Sequence, residues 1–508
     1  MEGYLLLFLL SVNSVFAEEG EFFAGHYDGY SIPPPIDRNG RADTVTTAYF
    51  SQILDHYDPT NTARFQQRYF VNTQYFNETE RNVAFLMLGG EAQALIQWMT
   101  GGAWIHTARM YNALLFQLEH RYYGQSHPFA NLETANMRYL SSQQALEDIA
   151  EFISAMNRQY NLAPDVKWIL FGGSYSASLA VWARQKYPHL VHGAMASSGP
   201  LFAKLDFYEY LEVVADSLAT HSQQCVDSVK TAFLQLENFI TNPGTENVTA
   251  IFNLCYDINL SENKIPNNVA YLFERLSSNI AGVIQYHGIP GQANSIHSIC
   301  GIMTNQTLGR EIERLAEVNR LFYGTRCLNY RFQALLTSMS NTAISLSGNS
   351  RQWYYQTCTE YGWYQTTNQK EPVFGNRTSE NFFTQVCTNV YGSKFNASYT
   401  SDQNERINRH YGGYDVNASN VIHVQGTLDP WYPMGLTRTI SQESPVIFIN
   451  GTSHCANLYG VSSSDPSQLT AARDEINRVI GIWLGKDSGT SIHLSVALLL
   501  IALMAKIF

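Results

Sequence analysis

Six short apolar runs, each stopped by glycine or polar residues, restrict this chain to few folds. They lie at 82–88 (NVAFLML), 112–119 (NALLFQLE), 167–171 (KWILF), 191–196 (VHGAMA), 420–425 (NVIHVQ) and 445–450 (PVIFIN). Runs without polar alternation suit strands covered on both faces. Helical spacing intervenes at 143–159 and 175–187 and returns at 466–484. Strand–helix alternation of this kind predicts an α/β fold with a mostly parallel sheet. Between about 201 and 410 the rhythm stops. LDFYEYLEVVADSLATHSQQCVDSVKTAFLQLENFI keeps helical spacing over most of its length, and cysteines, aromatics and glycosylation sequons fill the rest of this segment. The expected division is therefore a sheet domain in two parts, 18–200 and 411–486, separated by a largely helical insertion at 201–410. A chain of 508 residues is long enough to bury the cores of two or three such units.

The ends read differently. MEGYLLLFLLSVNSVFA has a short apolar stretch and small residues Val15 and Ala17 before Glu18, the pattern of a secretory signal peptide over residues 1–17. Export agrees with eight N-x-S/T sequons, at Asn77, Asn247, Asn259, Asn305, Asn376, Asn396, Asn417 and Asn450. Within the C-terminal tail, 487–508, the apolar stretch Leu494–Phe508 is short of the about 20 residues a membrane helix needs. Ser488 and Gly489 upstream fit a GPI-attachment signal, and a short membrane anchor or an uncleaved terminal helix stay open. Secretion, a lysosomal destination and a surface anchor are all consistent with these ends.

Seven cysteines are present, six of them between residues 225 and 387. In an exported protein most should be paired, and the six allow fifteen connectivities, among which sequence does not choose. The seventh, Cys455, is open between a buried thiol, a pair within the insertion and a bridge to another chain; self-association as a homodimer is likewise open. No Cys-x-x-Cys pattern is present, so neither a metal nor another cofactor is expected. The net charge of −11 disfavours nucleic acid as a partner.

Chemistry concentrates at WILFGGSYSASLAVW (168–182), where an apolar run meets Gly172-Gly173-Ser174-Tyr175-Ser176 and a helical pattern begins. This is a near match to the G-x-S-x-G elbow, in which a serine sits at the tip of a strained strand-to-helix turn. A small-residue structural turn would look similar, so the partners decide. A serine hydroxyl needs a base, and this architecture predicts the chain order Ser, then Asp or Glu, then His, each after a strand. VIHVQGTLDPWYP places Asp429 after one strand and VIFINGTSHCANL places His454 after the next. Each alone has a bland reading, a turn cap before Pro430 and a satisfied loop histidine. Together they predict a nucleophile Ser174, a base His454 and an orienting carboxylate Asp429. The oxyanion donors are then expected at the Tyr175 amide and, from LMLGGEAQ, at Gly90 or Glu91.

With these residues the sequence resembles the S28 family of serine peptidases, and most closely its thymus-specific and invertebrate branch. The likeness spans nearly the whole mature chain: QILDHYDP with FQQRYFVN, LGGEA, LEHRYYGQSHP, YLSSQQALEDIAEFI, GGSYSASLAVWARQKYPH, GTLDPW and SHCANL. It implies an α/β-hydrolase fold with a helical cap, a Ser174–Asp429–His454 triad and cleavage of peptides near a terminus, often at proline. Two departures bear on that. Ala177 stands where the family usually has glycine. Ser178 stands where proline-cleaving members carry a bulky apolar residue against the ring, so a proline preference should be weakened. Trp431 is expected to wall the pocket or to pack in the core. Glu119 and Arg121, two apart on one strand, are expected to form a structural ion pair, with binding of a substrate terminus as the alternative. Asp148 and Trp182 are assigned to structure. The expected function is a serine exopeptidase acting on short peptides; the alternatives are an esterase or lipase on the same fold and a non-catalytic binding protein.

Overall fold

The computed structural model describes residues 32–36, 44–242, 246–346 and 348–486. The signal peptide and the C-terminal tail expected from the sequence lie outside them. No helix among the described residues is long and apolar enough to cross a membrane.

Eight strands form one sheet: β1 (Val45–Ile53), β2 (Arg64–Asn72), β3 (Val83–Leu88), β4 (Leu114–Leu118), β5 (Lys167–Gly173), β6 (Val191–Ser197), β9 (Val421–Gly426) and β10 (Val446–Ile449), with β7 (Lys204–Asp206) and β8 (Gly362–Tyr364) in a separate parallel pair. Their order is β1-β2-β4-β3-β5-β6-β9-β10. All neighbours from β4 to β10 run parallel, and only β1–β2 and β2–β4 are antiparallel. This mostly parallel sheet is that of an α/β-hydrolase. All six apolar runs are strands of it. Those at its centre are buried on both faces, as in β3, where every residue from Val83 to Leu88 is buried. Two strands escape recognition in the sequence. The VTTAYFSQI and RFQQRYFVN hairpin of β1 and β2 closes one edge. An edge strand leaves one face to water, so β1 lacks the continuous apolar run by which the others are recognised.

Helices cover both faces. Helix α1 (Ala103–Tyr111) packs on one side with the final helix Ser467–Leu484; α2 (Ser142–Gln159) and α3 (Tyr175–Lys186) pack on the other. Helix α2 starts at Ser141, whose side chain accepts from the Gln144 N–H, an ordinary N-cap. Helix α3 is buried from Tyr175 to Ala183, which explains its run of Ala and Ser: bulkier residues would not fit between sheet and insertion.

The stretch expected to be helical contains eight α-helices from Glu209–Ala219 to Phe332–Met339 and Ser350–Gln356, then Glu380–Tyr391 and Ala397–Tyr411. Its six cysteines pair among themselves as Cys225–Cys300, Cys255–Cys327 and Cys358–Cys387. Each closes a loop of 29 to 75 residues, worth roughly 2–4 kcal/mol. Cys455 is a buried free thiol, which decides among its three readings.

The Glu119–Arg121 expectation is corrected. Strand β4 ends at Leu118, so the two residues leave the pleat that would align them. Glu119 pairs with Arg68, and Arg121 makes a two-pronged contact with Asp148, Nε to Oδ2 at 2.7 Å and Nη2 to Oδ1 at 2.6 Å. His56 Nε2 joins Asp148 at 2.8 Å. Both pairs are buried and structural, and Asp148 is structural as expected.

Candidate active site

The chain turns sharply after β5. Ser174 has φ 56° and ψ −133°, a conformation costing of order 1–3 kcal/mol for a residue with a side chain. The turn is held from both sides. The Ser174 N–H donates to the Ser197 carbonyl at 2.9 Å, and Ser176 Oγ donates to the Gly173 carbonyl at 2.8 Å. Glycine is obligatory at 172, where a Cβ would come within 2.2 Å of the Ser176 carbonyl oxygen. The methyl of Ala177 is accommodated because its neighbour is Gly199; a Cβ there would lie 2.9 Å from it. The residue after the elbow motif can thus be larger than glycine because residue 199 has no side chain.

Asp429 follows β9 and His454 follows β10. His454 Nδ1 donates to Asp429 Oδ1 at 2.8 Å, and the Trp431 N–H donates to the same oxygen at 3.0 Å. Both side chains are fully buried. Burial disfavours the imidazolium, but the Asp429 carboxylate and, after it, the neighbouring Cys455 outweigh it, so the pKa of His454 stands well above the ordinary histidine value. The His454 loop is anchored to the same strand end as the serine turn, since the Cys455 N–H donates to Ser198 Oγ at 2.9 Å. Cys455 Sγ also lies against Gly173. His454 Nε2 has no hydrogen-bond partner, so Ser174 and His454 are not hydrogen-bonded to each other. Such contacts often tighten only around bound substrate.

The three expected oxyanion groups meet at the start of α3. The Tyr175 N–H is the first of that helix, one of the four a helix leaves unpaired. Gly90 follows β3 and lies against the first turn of α3; a Cβ on it would stand 3.6 Å from the Ser176 nitrogen. Glu91 is 5% exposed, lines one cavity with Ser174 and lies in the field of His454.

A cavity opens beside Ser174, lined by Glu91, Tyr175, Pro200 and Trp431 from the sheet side. Trp431 is therefore at the pocket, with its indole N–H donating to Gln285 Oε1 at 3.1 Å. Ser178 is not. It is fully buried, its hydroxyl donates to the Pro200 carbonyl, and Pro200 rather than Ser178 faces the cavity. The opposite wall comes from Gln285, Trp353, Thr357, Trp363 and Gln365, none of which the sequence singled out. Gln285 also accepts the His454 N–H through its carbonyl at 3.0 Å and the Tyr210 hydroxyl through Oε1 at 2.7 Å. The aromatic-rich WYYQTCTEYGWYQ (353–365) was the available signal; it carries a turn of π-helix at Thr357–Tyr361 and a positive φ of 56° at Trp363, irregularities that often accompany function.

A nucleophile-type serine, an Asp–His pair and a roofed cavity call for comparison with known hydrolases. Residues 52–476 match the family model of serine carboxypeptidase S28. The chain belongs to the S28 family. K12H4.7 of Caenorhabditis elegans, designated a serine protease, is 36% identical over 460 residues, covering 87% of this chain and 89% of its own. The thymus-specific serine protease of Mus musculus is 33% identical over 451 residues, covering 86% and 87%. The lysosomal Pro-X carboxypeptidase of Homo sapiens is 27% identical over 466 residues, covering 87% and 89%. This S28 chain is a serine-type peptidase, and its substrates are peptides.

Proposed function

We propose that this S28 peptidase is an exopeptidase of the secretory pathway that releases short units from a peptide terminus through an acyl-enzyme. Ser174 Oγ attacks the scissile carbonyl carbon while its proton passes to His454 Nε2. The carbonyl oxygen takes up negative charge, met by the Tyr175 N–H and by the N–H of Gly90 or Glu91. The C–N bond then breaks as His454 returns the proton to the leaving amine. Water, activated by the same imidazole, cleaves the ester and regenerates Ser174. Asp429 holds the Nδ1–H tautomer and stabilises the imidazolium. The observation that carries this reading is the 2.8 Å Asp429–His454 contact beside a serine held at positive φ on the border of one cavity.

The insertion is read as a cap. Its residues Gln285, Trp353 and Trp363 face Ser174 across the cavity, and a roof there restricts entry to a narrow chain end. The weakened proline preference expected from Ser178 is not supported by a pocket contact; Pro200 and Trp431 are the groups that would meet the substrate side chain.

Ser174 is tested with a fluorophosphonate probe on the purified full chain, followed by peptide mapping, beside turnover of matched peptide and ester substrates. Labelling at Ser174 with peptide hydrolysis is expected. Labelling with ester hydrolysis alone would assign an esterase, and labelling at another serine would dismiss this site.

Export is supported by the sequons, the three disulfides and the lysosomal Pro-X carboxypeptidase relatives. Asn247, Asn305, Asn376, Asn396, Asn417 and Asn450 are exposed; Asn77 and Asn259 are half-buried. Asn247, Asn305 and Asn396 cap helices through Oδ1, which leaves Nδ2 for a glycan. Expressed in animal cells, the chain should lose mass on treatment with peptide N-glycosidase; an unchanged mass would argue against this route. The fate of the C-terminal tail as a GPI signal or anchor belongs to the same proposal.

A further inference from the structure

We propose that Glu91 binds the free α-ammonium group of the peptide, so that this enzyme works from the amino end of its substrates. The inference rests on the exopeptidase reading above and names the end attacked.

Six carboxylates are deeply buried among the described residues: Glu91, Glu119, Asp148, Glu274, Glu360 and Asp429. Glu119, Asp148 and Asp429 are ion-paired with Arg68, Arg121 and His454. Glu274 accepts from Ser278 Oγ at 2.9 Å, and Glu360 accepts from the Ser142 N–H at 3.0 Å. Glu91 has no ion-pair partner among the described residues, and of the six it alone lines the cavity beside Ser174. Burial raises its pKa and the field of His454 opposes this. A buried carboxylate without a cation is costly, and burial pushes this one up to about 7. The other titratable groups that feel it are the phenols of Tyr123, Tyr175 and Tyr286, uncharged near neutrality. His454 must be neutral to act as a base, so in the active form it supplies no positive charge either.

The cavity itself sets the polarity of the missing partner. Among the described residues lining it there is one acid, Glu91, and no lysine or arginine. The adjoining cleft, which also borders Glu91, has none either. A substrate carboxylate would meet like charge and no cation there, whereas an ammonium would complete an ion pair. Because Glu91 and Ser174 line the same small cavity, an ammonium held by Glu91 can stand only one or two residues from the carbonyl under attack.

The test uses the purified full chain and fluorogenic amides of single amino acids and dipeptides, each with a free or an acetylated amino end. Matched tripeptides carry a free or an amidated carboxyl end. In the wild type, acetylation should lower kcat/KM about 100-fold and amidation should leave it nearly unchanged. Glu91→Gln should lower kcat/KM on free-amino substrates by a similar factor and abolish the preference over acetylated ones, while Ser174 still labels with fluorophosphonate. Equal cleavage of acetylated and free substrates by the wild type would overturn the assignment, as would a requirement for a free carboxyl end. Either result with Ser174 labelled would leave the serine peptidase reading standing. Absence of Ser174 labelling in the wild type would overturn both.

Discussion

Replacing Ser174 with alanine is expected to lower kcat about a million-fold, the loss typical when the nucleophile of a serine hydrolase is removed. The fold should be unaffected, because Ser174 Oγ makes no hydrogen bond that holds the turn. That work is done by its backbone N–H, bonded to Ser197 at 2.9 Å, and by Ser176. The backbone itself supplies a second readout. At φ 56° a glycine is unstrained where serine is not. Ser174→Gly should therefore be as inactive as Ser174→Ala but more stable to heat, by about 1 kcal/mol. Steady-state kinetics and calorimetry on the two variants check both halves. A Ser174→Ala protein retaining more than a thousandth of wild-type turnover would remove Ser174 from the mechanism.

Asp429→Asn is expected to lower kcat about 10,000-fold by favouring the wrong imidazole tautomer, and its pH profile carries a sign that structural damage would not produce. Burial lowers the pKa of His454, while the Asp429 charge and, after it, Cys455 raise it and prevail. The base acts only when neutral. Wild-type activity should thus fall as pH drops through a His454 pKa that lies above the ordinary histidine range. Removing the charge takes away the largest influence that opposes burial, so the acid limb of the Asn variant should move to lower pH while its maximum falls. A limb that stays in place, or moves up, would mean that another group controls the profile. Glu91, raised to about 7 by burial, is the competing candidate, and Glu91→Gln in the same assay separates the two.

The strand–helix alternation, the sheet class and the positions of Ser174, Asp429 and His454 after their strands are legible in the chain itself. Each rests on a local pattern. A doubly covered strand must be an unbroken apolar run, and a strained turn must be lined by small residues. Strand β1 escapes such a reading because a half-exposed strand lacks that signature, and β2 because its buried residues include the polar Gln67 and Arg68. Glu119 and Arg121 are not partners because β4 ends before them, and their real partners, Arg68 and Asp148, are remote in sequence. Ser178 and Pro200 show the same limit at the pocket: twenty-two residues apart, they exchange a hydrogen bond that puts the proline, not the serine, at the wall. How distant segments meet is set by three-dimensional packing alone. It fixes the disulfide pairing, the far wall of the cavity from the insertion, and a carboxylate at Glu91 left without a cation beside the nucleophile. These features arise where side chains tens to hundreds of residues apart converge, because packing and charge compensation act through space and leave no periodic trace along the chain.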